Sequence, residues 1–305
     1  MMDAIDLFAG FGGSSTGATM AGVRVVWAAN HWPVAVECHK ENHPSTIHAC
    51  QDLHQADWQD VPRHDLMLAS PCCQGHSKAR GKSAGNPQHD ASRSTAWAVV
   101  SAAEYHRPAT VIVENVREFL NWSLYPAWES AMSALGYSVS PHIVDCADLS
   151  VPQSRVRLFL ICTRSKSPLR LNLRCQEHVS ASTFIDFDSG TWSQIARPNR
   201  AVSTIERIEN GRRQFGDRFL ISYYGNTKSG RSIDRPIGTI TTRDRWGVID
   251  GDRMRMLTKH EVMAAMSFPD GYITPDSHRL TVHMAGNAVP PVAMMRVIKA
   301  VSAQA

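Results

Sequence analysis

The sequence predicts an α/β chain built on a doubly wound sheet, followed by a smaller domain of mixed structure. Three observations carry this. Residues 4–8 form an apolar strand that runs into Gly10-Phe11-Gly12-Gly13 and then into a helical stretch stopped at Gly22, the strand, glycine turn and helix with which such folds open. Short apolar runs then alternate with stretches of helical periodicity as far as residue 162. Beyond residue 164 the alternation ceases and short strands and turns take over.

In order, residues 23–29 predict a second strand and residues 33–40 a helix opened by Pro33, whose missing N–H costs nothing in a first turn. Asp52-Leu53 ends the next segment. Residues 65–69 form a buried strand leading into Pro71-Cys72-Cys73-Gln74-Gly75-His76-Ser77. Residues 95–105 are apolar at helical spacing, and residues 110–113 are a β-branched strand ending at Glu114-Asn115-Val116. A helix over 122–135 is closed by Gly136, and strands follow over 137–144 and 156–162. Residues 204–213 read as a basic helix, and residues 257–267 and 289–301 as two more, the last preceded by Gly286-Asn287-Ala288.

A chain of 305 residues can bury one large core and a smaller one. No apolar run approaches the roughly 20 residues that span a bilayer, and residues 1–6 lack the basic start of a signal peptide. A cytoplasmic protein with no membrane partner is expected. Seven cysteines, an odd number, do not suggest a disulfide framework. Cys38, His39, His43, His48 and Cys50 match no zinc spacing, so they read as a helix–loop surface and no metal is assigned. The net charge of +4 is modest, but residues 164–218 hold ten Lys/Arg against six Asp/Glu, the whole of the excess. Lys78, Arg80, Lys82 and Arg93 face only Asp90 in the loop after the cysteines. Two basic surfaces on a balanced chain fit phosphates.

Four features fall at the carboxyl ends of predicted strands, where doubly wound folds place their sites: the glycine turn, Asn30, the Cys72-Cys73 loop and Glu114. Adjacent cysteines are more often buried structure than chemistry, and a lone glutamate at a strand end is usually solvated. A thiol and a carboxyl delivered to one edge is instead the pattern of a site.

These residues resemble the DNA cytosine-5 methyltransferase family. Ile5-Asp6-Leu7-Phe8-Ala9-Gly10-Phe11-Gly12-Gly13 matches its first motif, and Cys73-Gln74 its Pro-Cys-Gln nucleophile motif in part, with Cys72 in place of the usual proline. Glu114-Asn115-Val116 and Gln153-x-Arg155-x-Arg157 match the next two. Arg235-Pro236-x-x-Thr239-Ile240-Thr241 and Gly286-Asn287-Ala288-Val289 match the last. The motifs stand in family order across residues 5–289, nearly the whole chain.

The resemblance implies a Rossmann-like methyltransferase domain over 1–163, a smaller target-recognition domain over 164–255, and a hinge and return over 256–305. It implies methyl transfer from S-adenosylmethionine to C5 of a cytosine flipped out of a specific duplex DNA sequence, through a covalent bond between Cys73 and C6. Glu114 would hold the ring at N3, and Arg155 and Arg157 would contact the base O2 and phosphate or hold the cysteine loop. Phe8 would stack near the adenine, with Ala9, Gly10, Phe11, Gly12 and Gly13 around the methionine portion. Asn30 and His31 would meet the ribose, Asp52 and Leu53 the adenine edge, and Asn287 and Ala288 the methionine end. Asn30 stands where the family usually has a glutamate. Gln74, Ser77, Lys78, Arg80 and Lys82, in a loop covering the flipped nucleotide, and Arg212, Arg213 and Arg243 would bind DNA. A monomer is expected, with a cognate restriction enzyme as a possible biological partner. The alternatives are the same chemistry on RNA and a DNA-binding homologue weak in catalysis; a nicotinamide oxidoreductase would need the dinucleotide fingerprint that the glycine turn lacks.

Overall fold

In a computed structural model, residues 1–72, 95–165, 167–224 and 227–304 are described. Seven strands form the main sheet: β1 (Asp3–Leu7), β2 (Arg24–Asn30), β3 (Ile47–Cys50), β4 (Leu66–Ala69), β5 (Thr110–Asn115), β6 (Ser138–Asp145) and β7 (Val156–Thr163). Their order is β3-β2-β1-β4-β5-β7-β6, with β7 antiparallel to both of its neighbours. Side-chain alternation buries both faces. Ile5, Leu7, Met67, Ala69, Val111 and Val113 point into one apolar cluster, against Val99, Ala102 and Ala103 of α3 (Ala96–His106) and Trp128 and Met132 of α4 (Tyr125–Ala134). Ala4, Leu66, Leu68 and Ile112 point into another. That second face is covered by α1 (Gly13–Met20) and by Met294, Val297, Ile298 and Val301 of the last helix, α8 (Pro291–Ser302).

The chain runs outward from β1 to β2 and β3, then crosses to β4 on the other side of β1. The carboxyl ends of β1 and β4 therefore border the crevice where strand order reverses. α2 (Pro33–Asn42) joins β2 to β3.

A four-stranded antiparallel sheet, β8-β11-β10-β9, comprises β8 (Ser193–Gln194), β9 (Arg218–Ser222), β10 (Trp246–Asp250) and β11 (Arg253–Met256). Ile208 of α5 (Val202–Phe215) packs on Phe219, Ile221, Ile249 and Met254 of this sheet. The chain then forms α6 (Lys259–Ala265), opened by a Thr258/Glu261 capping box, and α7 (His278–Asn287). Glu261 also pairs with Arg255 of β11 at 2.7 Å, both side chains buried, which ties the small sheet to α6.

Three expectations change. The helix read over 122–135 begins at Tyr125, with Pro126 in its first turn, and residues 117–121 coil separately as a 3-10 turn. α7 forms where no helix was expected and runs into the Gly-Asn-Ala motif, ending on Asn287 with Ala288 as its cap. β3 lacks the alternation that marks a strand, since its residues are only partly buried at the sheet edge. Among the described residues no helix is long and apolar enough to cross a membrane.

Candidate active site

The turn after β1 is held in a left-handed backbone at Phe8 (φ 62°), Gly10 (φ 53°) and Gly12 (φ 82°). Glycine serves two of these positions without strain, whereas Phe8 costs on the order of 1 kcal/mol. Gly13 is required for a different reason: a Cβ there would collide with the Val289 carbonyl, so α1 and the segment after α7 approach backbone to backbone.

A cavity opens over this turn. Its floor is Phe8 to Phe11, Gly13 and Ser14, and its walls include Asn30, His31 and Trp32 at the end of β2. Ser70, Pro71 and Cys72 after β4, Glu114 of β5, Arg155 just before β7 and Arg157 of β7 close one side; Asn287, Ala288 and Val289 close the other. Glycine turn, Asn30, cysteine segment and Glu114 thus share one cavity, as strand-end placement implies. Cys73 and the loop residues Gln74, Ser77, Lys78, Arg80 and Lys82 lie outside the described residues. The described flanks of that loop are joined: the Cys72 N–H donates to Thr95 Oγ1 at 3.0 Å. The Asn115 amide donates to the Pro71 carbonyl at 3.0 Å, so β5 sets the path of the cysteine segment.

Glu114 is buried and pairs with Arg157, Nε to Oε1 2.9 Å. Burial raises its pKa, and the positive charges of Arg157 and Arg155 oppose the rise without cancelling it. A carboxyl poised toward its neutral form inside a cavity can donate a hydrogen bond as well as accept one.

Arg155 lines the cavity and also reaches behind it. It is 1% exposed, and its guanidinium donates to the carbonyls of Ile240 (2.8 Å), Gly286 (2.8 Å) and Ala288 (3.1 Å). Gln153, equally buried, accepts from the Ile240 N–H at 2.8 Å and donates to the Ala265 carbonyl at 3.2 Å. Three motifs distant in sequence are thereby bolted together through backbone carbonyls. Gln153 was not singled out from the sequence. Its signal was its place in the Gln-x-Arg-x-Arg motif.

Asp52 and Leu53 stand outside the cavity lining. Leu53 turns into the main core, while the exposed Asp52 carboxylate accepts from the His54 N–H at 3.0 Å. Gly12, the cap of α1, also lies behind the lining, under the Tyr272 hydroxyl that donates to the Phe11 carbonyl at 2.6 Å. Phe11 packs against Phe268 (5.3 Å) and Tyr272 (5.6 Å), so its ring is mainly structural. Asn30 Oδ1 accepts from the Trp32 N–H at 2.9 Å, which opens α2 and leaves the amide nitrogen for the cavity.

Of the histidines expected at a surface, His39 is buried and His43 and His48 are partly buried beneath the glycine turn. His39 Nδ1 lies 2.8 Å from His48 Nε2, and His39 Nε2 lies 3.0 Å from Ser15 Oγ, which donates to Asp6 at 2.7 Å. His43 Nε2 is 3.2 Å from Thr16 Oγ1. Burial lowers all three imidazole pKa values, His43 to about 4, and raises Asp6 to about 7. Neutral rings therefore support the turn from below.

Of the arginines expected to bind DNA, Arg212 is exposed and donates to the Gly251 carbonyl (2.6 Å) and to Asp252 (3.1 Å) at the surface. Arg213 is exposed on the last turn of α5. Arg243 is also exposed and lines a groove with Trp32, Thr242, Asp244, His278 and His283, next to the main cavity.

The sheet order with an antiparallel β7, and a glycine-turn cavity at the switch point, define a methyltransferase fold. Spodoptera frugiperda DNMT2 shares it, with a TM-score of 0.70 over 99% of this chain and 100% of that one at 15% identity. The model of the C-5 cytosine-specific DNA methylase family matches residues 2–197 and 188–303, and the chain belongs to that family. It is 28% identical to type II methyltransferase M.HgiDI of Herpetosiphon aurantiacus, over 95% of this chain and 90% of that one. It is 25% identical to M.HhaI of Haemophilus parahaemolyticus, over 93% and 89%. Its activity is that of a DNA (cytosine-5) methyltransferase, a family that uses S-adenosylmethionine.

Proposed function

We infer that the chain methylates C5 of a cytosine flipped from a specific duplex DNA sequence, with Cys73 as covalent nucleophile and Glu114 as the group that holds the ring. The observation that carries this is Glu114, buried beside Arg157 in the same cavity as the glycine turn and the residue preceding Cys73. C5 is a poor nucleophile until a group adds at C6. The Cys73 thiolate forms that S–C6 bond, and the displaced electron pair moves onto the ring toward N3. Glu114 stabilises the added charge by donating its proton at N3 and accepting from the exocyclic amino group. When bound, S-adenosylmethionine would supply the methyl group to C5 and leave as S-adenosylhomocysteine. Loss of the C5 proton to water leaves its electron pair to re-form the C5–C6 double bond, the thiolate departs with the S–C6 pair, and N3 returns its proton to Glu114. Arg157 orients Glu114 throughout, and Arg155 positions the backbone of 286–288.

The cavity fits that cofactor: Phe8 and Trp32 supply ring surface, the turn presents bare backbone, and the Asn30 amide nitrogen is available for ribose oxygens. Because Asn30 is neutral and its oxygen is engaged by Trp32, it binds ribose as a donor only. Asn30→Glu should tighten S-adenosylmethionine binding about 3- to 10-fold through charge-assisted bonds, measured by calorimetry. Unchanged or weaker binding would refute this assignment of Asn30.

We place target recognition in residues 164–255, with Arg213 and Arg243 available to phosphates or guanine edges. Incubation with labelled S-adenosylmethionine and either duplex DNA or tRNA tests the substrate; label on tRNA alone would replace DNA with RNA in this reading. Duplexes carrying 5-fluorocytosine test the nucleophile. A covalent adduct should form with the wild type and Cys72→Ser and disappear in Cys73→Ser. The reverse pattern would move the chemistry to Cys72.

A further inference from the structure

A second side-chain cluster lies away from the cavity, where the chain leaves the main sheet for the small domain. After β6 the backbone makes a 3-10 turn, Cys146–Leu149, that carries Asp148. The turn is firmly built: the Asp145 carboxylate accepts from the Ala147 and Arg155 N–H groups and from the Ser154 hydroxyl. Residues 169–178 return alongside it. Leu169, Leu171 and Leu173 pack against the cluster behind the sheet, and the Gln176 N–H donates to the Asp148 carbonyl at 2.8 Å. Cys175 and His178, in a Cys-x-x-His spacing, are thus delivered to Asp148 from one turn of chain.

The three donor atoms converge. Asp148 Oδ1 is 2.8 Å from His178 Nε2 and 3.6 Å from Cys175 Sγ, and all three lie within 4.8 Å of one another. Among the described residues this is the single such group of His, Cys, Asp and Glu. Bond lengths of about 2.0–2.3 Å at tetrahedral angles place zinc ligands about 3.3–3.8 Å apart. The sulfur–oxygen separation already falls in that range, the imidazole must retreat from the carboxylate by about half an ångström, and it lies within 4.8 Å of the sulfur. Cys175 and His178 are exposed and Asp148 partly so, which leaves entry and a fourth, water-filled position open. One sulfur, one imidazole and one carboxylate oxygen are a donor set for zinc rather than for magnesium or calcium.

We propose that Asp148, Cys175 and His178 bind one zinc-class divalent cation, which staples the segment entering the small domain to the turn after β6. The site holds no residue of the methyl-transfer cavity, so its function is to fix that crossing. It also revises the expectation that the chain takes no metal, which rested on Cys38, Cys50 and the histidines between them.

Cobalt(II) and zinc(II) test this directly, in a full-length Cys73→Ser background that removes the nucleophilic thiol. Cobalt should bind at one equivalent per chain with a thiolate-to-metal charge-transfer band, and zinc should displace it. Cys175→Ser should abolish the band, His178→Ala should weaken zinc binding at least about 10-fold, and Cys50→Ser should leave both unchanged. Zinc should raise the melting temperature of the background protein but not that of Cys175→Ser. Absence of stoichiometric binding, a band that survives Cys175→Ser, or a melting temperature indifferent to zinc would overturn the proposal.

Discussion

Glu114→Gln is expected to slow methyl transfer to duplex DNA by about 10²- to 10³-fold while leaving S-adenosylmethionine binding within about twofold. Glutamine keeps the shape and can still meet the ring edge, but it cannot pass a proton to N3. It also loses the charge that pairs with Arg157 at 2.9 Å in a site where both side chains are mostly covered. Burial raises the Glu114 pKa and the two arginines restrain the rise, which shifts the wild-type carboxyl toward the proton-bearing form that glutamine cannot supply. Single-turnover methylation separates this chemical loss from binding, and a variant that retained wild-type turnover would remove Glu114 from the mechanism.

Arg155→Met is expected to act on the fold before the chemistry. It strips three carbonyls of a buried donor and should cost about 3–5 kcal/mol, the range for breaking a buried charged network. The melting midpoint should fall by roughly 5–10 °C. Since two of those carbonyls flank Asn287, S-adenosylmethionine affinity should fall with it, even in the absence of DNA. A guanidinium whose task was to contact the flipped base would predict the opposite: an unaltered melt, unaltered cofactor binding and a defect confined to DNA. Thermal denaturation and calorimetry on the same preparation distinguish the two.

The different fates of the two arginines show where sequence reading stops. Arg155 and Arg157 are two residues apart in one motif and were assigned together. Arg157 pairs with Glu114 at the mouth of β7, whereas Arg155 lies among backbone carbonyls from residues 240–288, and neither proximity is visible along the chain. The histidines are a second case. Their spacing matched no ligand pattern, and neutral rings packed at tilted and edge-on angles under the glycine turn have no motif of their own. Asp52 and Leu53 are a third, because whether a side chain faces a cavity or a core is decided by a turn of a few residues.

By itself the sequence determined the α/β class, the central strands and the four strand-end features of the site, since these depend on periodicity and on residue types that few other roles require. It also carried the family, through motifs in order over nearly the whole chain. Only the tertiary structure decided the antiparallel insertion of β7, the use of Arg155 and Gln153 as bolts between distant segments, and the meeting of Asp148 with Cys175 and His178. Each of these is a contact between groups far apart in the chain. Such contacts form when apolar faces are buried together, and no local pattern records which partners that burial brings within hydrogen-bonding reach.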